Sequence, residues 1–514
     1  KKIQNNLFMD NSKEISEILS TNQIKEEVES LTQKYKELIE MENELIKMKE
    51  PPMIWDLAFA EVFAEKKGFD IVIANPPYVR QEKIDDLNGF YSRKEYKDKL
   101  IRQIFLDWSY NFEGNIINES TIPKKFDKRC DLYVYFYLKG LKLLNPEGIF
   151  CYISSNSWLD VGYGKILQEI LIKSVPIIGI YDNLVKRSFK HADINTIIAI
   201  LKAPKNRDCE KEIQENEVSF VMFKRPFEEI MCSEIFIELE KEDGFNKYPE
   251  GKRKETDIFR IHKINQNELY EFGKDQKTGT YIGNKWGGKY LRAPEIYFKI
   301  LEKGKDKLVK LGDVADVRFG IKTGANEFFY LKPVDRTVKE VVEIAEKNPQ
   351  ALIRVKNSAG WEGEIEAEFL KPVIKSPREL KTIIVKIEDL NYLVFMCHKS
   401  KKELKGKKAL EYIEWGEKEK FNTRPTCKSR NMWWNLDGFV ISFTRGLFIN
   451  SRFITSLNNK AKAFVDANLI MPIPKPNLDL NNVAHFLNST IGNLMLELGG
   501  RVSLGEGVLK IQNY

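Results

Sequence analysis

The sequence predicts an α/β fold joined to a second, mixed α+β region, and three observations carry that expectation. Between Met53 and Leu201, short β-branched runs alternate with stretches of helical periodicity, the pattern of a parallel sheet with helices on its faces. At the carboxyl end of the first such run, two consecutive prolines lock the chain where open α/β sheets place their ligands. Beyond residue 280 the charge balance changes sign: residues 281–514 carry 39 Lys and Arg against 27 Asp and Glu, whereas the rest of the chain is slightly acidic.

Taken in order, residues 13–50 come first. Ile15, Ile18, Leu19, Ile24, Val28, Leu31, Tyr35, Leu38, Ile39 and Leu45 recur at three- and four-residue steps among Glu and Lys. This predicts a long amphipathic helix or helical hairpin, interrupted near Thr21-Asn22, stopped by Pro51-Pro52 and packed against its own domain. Ile71 to Ile73 then reads as a buried strand ending at Asn75. After a polar loop, residues 132–144 read as a helix closed by the turn Asn145-Pro146-Glu147-Gly148. A strand over 149–154, a helix near 165–172 and strands over 176–181 and 194–201 follow. The domain expectation is a helical arm at 1–52, an α/β region at 53–204, a connector at 205–280 and a basic region at 281–514.

The stretch Asn75-Pro76-Pro77-Tyr78 is the candidate chemistry. The prolines fix φ, remove two backbone donors and push Asn75 out of the helical region. What is left is an amide side chain, backbone carbonyls without nearby donors, and an aromatic ring. That set suits an exocyclic amine on a flat ring. Acceptors from Asn75 and Pro76 take its two N–H groups and localise a delocalised lone pair, while Tyr78 stacks on the ring, worth about 1–3 kcal/mol.

Composition narrows the class. With 31% charged and 11% aromatic residues, the chain of 514 residues is globular, with room for two to four domains. No run of about 18 apolar residues is present, so no membrane span is expected. Six cysteines are scattered without a C-x-x-C pair, and only four histidines occur. No metal site is expected, and a reducing cytoplasm fits best.

The chain resembles the gamma-class N6-adenine DNA methyltransferases, above all the type IIG restriction-modification enzymes. The resemblance rests on Asn75-Pro76-Pro77-Tyr78, Asp131-Leu132-Tyr133-x-x-Phe136, the Pro146-Glu147-Gly148 turn and Asn156-Ser157-Trp158-Leu159. Three C-terminal stretches resemble the family's target recognition domain: Gly320–Phe329, Thr423–Arg430 and Gly500–Gly507. The resemblance implies a partial Rossmann-like methyltransferase sheet, S-adenosylmethionine as cofactor and double-stranded DNA as partner. By it Asn75, Pro76, Pro77 and Tyr78 are catalytic, Tyr78 and Phe189 hold the flipped base, and Phe136 and Pro77 touch the cofactor. Lys322, Thr323, Asn326, Arg424, Lys428, Arg430 and Arg501 contact DNA, the phosphate contacts positioning the duplex.

One departure stands out. The family's glycine-rich cofactor loop does not precede Phe69, because residues 1–68 contain a single glycine, Gly68. The nuclease motif, with its Mg2+, is also absent. The expectation is the later half of an enzyme, inactive by itself, in which the strand at Ile71 presents an unpaired edge. Two other functions stay open: a methyltransferase acting on protein glutamine or RNA, and a non-catalytic, sequence-specific DNA-binding fragment.

Overall fold

Helical periodicity in the arm produces one helix, α1 (Asn22–Lys47). In the computed structural model, residues 22–47, 53–108, 128–185, 195–205, 210–230, 232–275, 277–376, 379, 385–436, 448–449, 455–456, 461, 463–467, 469–475, 478–499, 501–502 and 509–510 are described. The expected packing of the arm is not found: Val28, Leu31, Tyr35 and Leu38 are all about half exposed or more. Three- and four-residue spacing makes an apolar stripe but does not name the surface that covers it.

The chain divides into two compact units, residues 1–151 with 202–204, and residues 152–201 with 205–514. The first unit holds the short helix α2 (Ala60–Lys66), β1 (Phe69–Ala74), α3 (Arg93–Asp107) and α4 (Leu132–Lys142). It also holds the first part of β2 (Leu144–Ser155). A Ser92–Glu95 capping box starts α3 by satisfying orphan N–H groups reciprocally. Ile101, Ile104, Phe105 and Trp108 are buried, as are Tyr133, Val134, Tyr137 and Leu138 of α4. Trp108 Nε1 donates to the Leu138 carbonyl at 3.3 Å, and the Tyr137 and Phe150 rings lie 5.1 Å apart.

Strand β1 lies outermost, beside β2. Gly68, at φ +147°, lets the chain enter it: a Cβ there would sit 2.6 Å from Asn145 N and 2.7 Å from the Leu143 carbonyl oxygen. The Phe69 N–H then donates to that carbonyl at 2.8 Å. Phe59 and Phe63 cover Phe69 edge-on, at 5.1 and 5.5 Å. That cover ends there. Ile71 and Ile73 are 65% and 74% exposed, so β1 is not the buried strand its apolar run predicts. Among the described residues β1 has a neighbouring strand on one side only.

Strand β2 begins at Leu144, and the expected turn is absorbed into it: Asn145 Oδ1 accepts the Glu147 N–H at 3.0 Å, an Asx turn. In the second unit β2 is followed by α5 (Lys165–Ser174), β3 (Ile177–Asn183), β4 (Thr196–Lys202), β5 (Glu217–Phe223), β6 (Asn246–Lys247), β7 (Lys252–Glu255) and β8 (Phe259–Asn265). The order is β2-β4-β3-β5-β8-β7-β6. The sheet is mixed, not parallel as predicted. β4 returns antiparallel to β3 and sits between it and β2, while β5 is parallel to β3. Strand periodicity carries no direction; direction depends on the connection.

Two larger sheets follow, besides the two-stranded pairing of residues 501–502 with 509–510. The order β12-β11-β10-β14-β13-β17 uses β10 (Tyr330–Pro333), β11 (Leu352–Lys356), β12 (Glu362–Glu366), β13 (Leu370–Ile374), β14 (Tyr392–Phe395) and β17 (Phe464–Val465). The order β16-β15-β18-β9 uses β9 (Ala315–Phe319), β15 (Phe448–Ile449), β16 (Thr455–Ser456) and β18 (Ile470–Pro474). Phe328, Phe329, Tyr412, Trp433 and Trp434 fill one core beside the larger sheet.

Asp182 of β3 is buried in the second unit, and that burial, with Asp160 adding to it, pushes its carboxyl up to about 7. A carboxyl raised in the folded state stabilises most below its ordinary pKa near 4, and that contribution is lost as pH rises through about 7. Asp182→Asn is therefore expected to melt above the parent at pH 8 and close to it at pH 4. A melting curve at pH 8 no higher than the parent's refutes this.

Candidate active site and recognition loops

Asn75 to Arg80 leave β1 as irregular backbone. Pro76 is buried, Asn75 and Pro77 are exposed, and Tyr78 is half-buried. The Val79 N–H donates to the Pro77 carbonyl at 3.0 Å, which closes a tight turn. That corrects one expectation, because the Pro77 carbonyl is claimed within the loop. Among the described residues, the Asn75 carboxamide and the Pro76 carbonyl take part in no hydrogen bond and point to no partner in the chain. Burial pushes the Tyr78 phenol up to about 12, so the ring stays un-ionised at neutral pH.

Two hydrogen bonds tie this loop to the start of α4. The Leu132 N–H donates to the Val79 carbonyl at 3.0 Å, and Asp131 Oδ1 accepts the Gln81 N–H at 2.9 Å. The motifs Asn75–Tyr78 and Asp131–Phe136 are thus joined through backbone. Asp131 was quoted in the sequence only as part of a motif; its role in anchoring the loop was not legible there. Phe136 is 40% exposed although Tyr135 and Tyr137 on either side are buried. Phe189 lies outside the described residues.

Two of the three basic stretches meet in the second unit. Gly324, at φ +78°, passes so close to the second stretch that a Cβ there would lie 2.6 Å from Thr426 Cβ. Arg430 donates to the carbonyls of Lys322 and Thr323 at 2.7 and 2.9 Å and to that of Trp433 at 3.2 Å. The Cys427 thiol donates to the Thr323 carbonyl at 3.7 Å, and Arg424 pairs with Glu327 at 2.8 Å. The Glu327 carboxyl is held below its usual range by that arginine.

The candidate DNA contacts therefore divide. Lys322, Asn326 and Lys428 are exposed. Thr323 is buried, its hydroxyl bonded to Asn326 Oδ1 and accepting the Ala325 N–H at 3.2 Å. Arg430 staples the two loops, and Arg424 is spent largely on Glu327. Arg501 stands in a two-residue strand paired with Leu509–Lys510, and nothing further of its surroundings is described. A count of basic residues cannot separate a cation facing solvent from one capping carbonyls.

The comparisons with known proteins fall on the same segments. Residues 4–189 match the family described as the Eco57I restriction-modification methylase. Residues 283–512 match the C-terminal domain of the type II methyltransferase M.Eco57I. The first segment contains Asn75–Tyr78 and Phe136, and the second contains both basic loops. The chain belongs to the Eco57I-type restriction-modification methylases. This Eco57I-type chain is 24% identical to the type II methyltransferase M.AccI of Acinetobacter calcoaceticus over 72% of its own length and 53% of that protein. It is 32% identical to M.BstVI of Geobacillus stearothermophilus over 24% of itself and 18% of that relative. It spans about half the length of M.AccI. Among solved structures, the type IIL restriction-modification enzyme MmeI in complex with DNA aligns over 90% of this chain and 47% of its own. The TM-score is 0.45 at 12% identity.

Proposed function

We propose that this chain carries the target-amine pocket and recognition domain of a site-specific DNA N6-adenine methyltransferase of a restriction-modification or phage-defence system. The observation that carries the proposal is the Asn75–Pro76 acceptor pair, which has no donor within the described chain, beside the half-buried Tyr78 ring. Asn75 Oδ1 and the Pro76 carbonyl accept the two N–H groups of an extruded adenine. The amine lone pair is thereby withdrawn from the ring and becomes nucleophilic. Tyr78 stacks on the base, and its raised phenol pKa keeps the ring neutral throughout.

S-adenosylmethionine, when bound, supplies the electrophilic methyl group. The exposed Phe136 ring fits an adenine face, and with exposed Pro77 it would form part of the cofactor's seat. Lys322, Asn326 and Lys428 are the exposed groups suited to touching the duplex, the lysines contacting phosphate.

Extruding a base costs a few kcal/mol, part of which stacking offsets. With 2-aminopurine at the target position, binding of the Tyr78→Ala variant within the complete enzyme is expected to brighten the probe less than the parent does. Equal brightening would remove Tyr78 from the pocket.

A further inference from the structure

A second cavity, of about 590 Å³, lies wholly within the second unit and has no part in the methyl-transfer reading. Its walls come from the segment before and at the start of α5, from helix α6 (Gln266–Phe272), from residues 282–289, from helix α7 (Glu295–Lys303) and from helix α8 (Thr490–Gly499). Its volume is in the range of cavities that enclose a small organic ligand.

The charges are uneven. Lys165, Lys274, Lys285, Lys289 and Lys310 line it, against the carboxylates Asp160, Glu250 and Glu271. Asp160 is already engaged: it pairs with Arg292 at 3.0 Å and accepts the Gly288 N–H at 3.0 Å. Glu271 pairs with Lys274 at 2.8 Å, and Glu250 pairs with Lys289 and accepts from the Tyr290 hydroxyl at 3.2 Å. Arg292 answers Asp160, so the five ammonium groups face two further carboxylates and leave an excess of three positive charges.

The backbone that presents two of these lysines is unusual. Lys285 sits at φ +49°, in the left-handed region that a side chain rarely adopts. It is followed at once by a π-helical turn over Gly287–Arg292, which carries Lys289. Left-handed non-glycine residues and π-turns both concentrate at ligand sites, because local strain persists only where surrounding structure enforces it. Lys285 Nζ donates to the Asp160 carbonyl at 2.9 Å. Burial lowers its ammonium to about 8, and it lowers that of Lys289 as well. Among the lysines the lining also has apolar side chains, Phe272, Ile282, Tyr297 and Leu498.

We propose that this cavity binds a phosphate-bearing ligand of nucleotide size, its phosphate on the ammonium groups of Lys285 and Lys310 and its apolar part against Phe272 and Tyr297. A phosphomonoester near neutral pH carries close to two negative charges, which that excess offsets. Lysine ammonium groups bind phosphate as point charges and need no fixed fork geometry. The phosphate can come from a free mononucleotide, as a dianionic monoester, or from the backbone of a nucleic acid, as monoanionic diesters, and ammonium groups attract both.

The test uses the full chain with dAMP, inorganic phosphate and a short duplex as probes, read by calorimetry. Lys285→Gln is expected to weaken dAMP about ten- to a hundredfold, the value of one charge-assisted hydrogen bond. Lys310→Gln should weaken it in the same direction with an unchanged melting temperature, since that side chain is exposed. If the duplex displaces dAMP and is itself weakened by Lys285→Gln, the source is nucleic acid; if dAMP stays bound, it is a free nucleotide. A second readout needs no variant: saturating dAMP should slow acylation of Lys285 by an amine-reactive reagent while exposed Lys332 reacts at its usual rate. The proposal fails if none of the three probes binds, if the folded variants bind them as the parent does, or if Lys285 is not protected.

Discussion

Asn75→Ala, within the complete enzyme, is expected to lower methyl transfer by about 10²–10³ while leaving duplex affinity near the parent's, because removing one preorganised acceptor at the reacting centre has that effect. The reasoning begins with two prolines. They strip donors from the loop and hold Asn75 in extended backbone, so its carboxamide ends exposed and, among the described residues, without a partner. The anchor at Val79 and Gln81 keeps the loop fixed on α4 whether or not the Asn75 side chain is present. Truncation therefore removes an acceptor without releasing the loop. Single-turnover transfer of a labelled methyl group, with duplex affinity measured in parallel, separates rate from binding. Transfer within about tenfold of the parent would end the assignment of Asn75 as the group that polarises the amine. Loss of duplex affinity with an unchanged single-turnover rate would make it a DNA contact instead.

Local grammar made parts of this molecule legible. The helix expected over 132–144 is α4, the strand expected over 176–181 is β3, and the described part of the arm, residues 22–47, is helical as its spacing predicts. Each rests on periodicity within one segment. The errors have a common cause. Ile71 and Ile73 are β-branched because the strand requires it, but burial depends on what packs above them, and here Phe59 and Phe63 stop at Phe69. The antiparallel insertion of β4 and the exposure of the α1 stripe are likewise relations between segments. The candidate site shows the same division. The proposal for Asn75 and Tyr78 can be framed from sequence alone because it needs only four consecutive residues. The contacts of Arg430 with the carbonyls of Lys322 and Thr323 could not be, because these lie about a hundred residues away in sequence.

Those contacts change what mutation of the basic loop should do. As three equivalent phosphate contacts, Arg424, Lys428 and Arg430 would each carry about 0.9 of the slope of log K against log salt. The structure separates them. The Arg430 guanidinium accounts for three backbone carbonyls and lies over the Phe329 ring at 5.6 Å, so Arg430→Ala leaves partly buried acceptors unpaired and frees the 320–329 loop. A loss on the order of 2–4 kcal/mol in stability is expected, with a lower melting temperature in the absence of DNA. Arg424→Ala breaks an exposed pair with Glu327 and should cost about 0–1 kcal/mol. Lys428 is exposed at the end of its helical turn, and Lys428→Ala should leave melting unchanged while lowering the salt slope by about 0.9. The three single variants, melted alone and titrated with duplex at several salt concentrations, distinguish the two descriptions. Should Arg430→Ala melt with the parent and take its own 0.9 from the slope, the staple is wrong and the side chain reaches phosphate. Should Lys428→Ala leave the slope untouched, the loop is a scaffold, and the charge that holds DNA lies elsewhere on the chain.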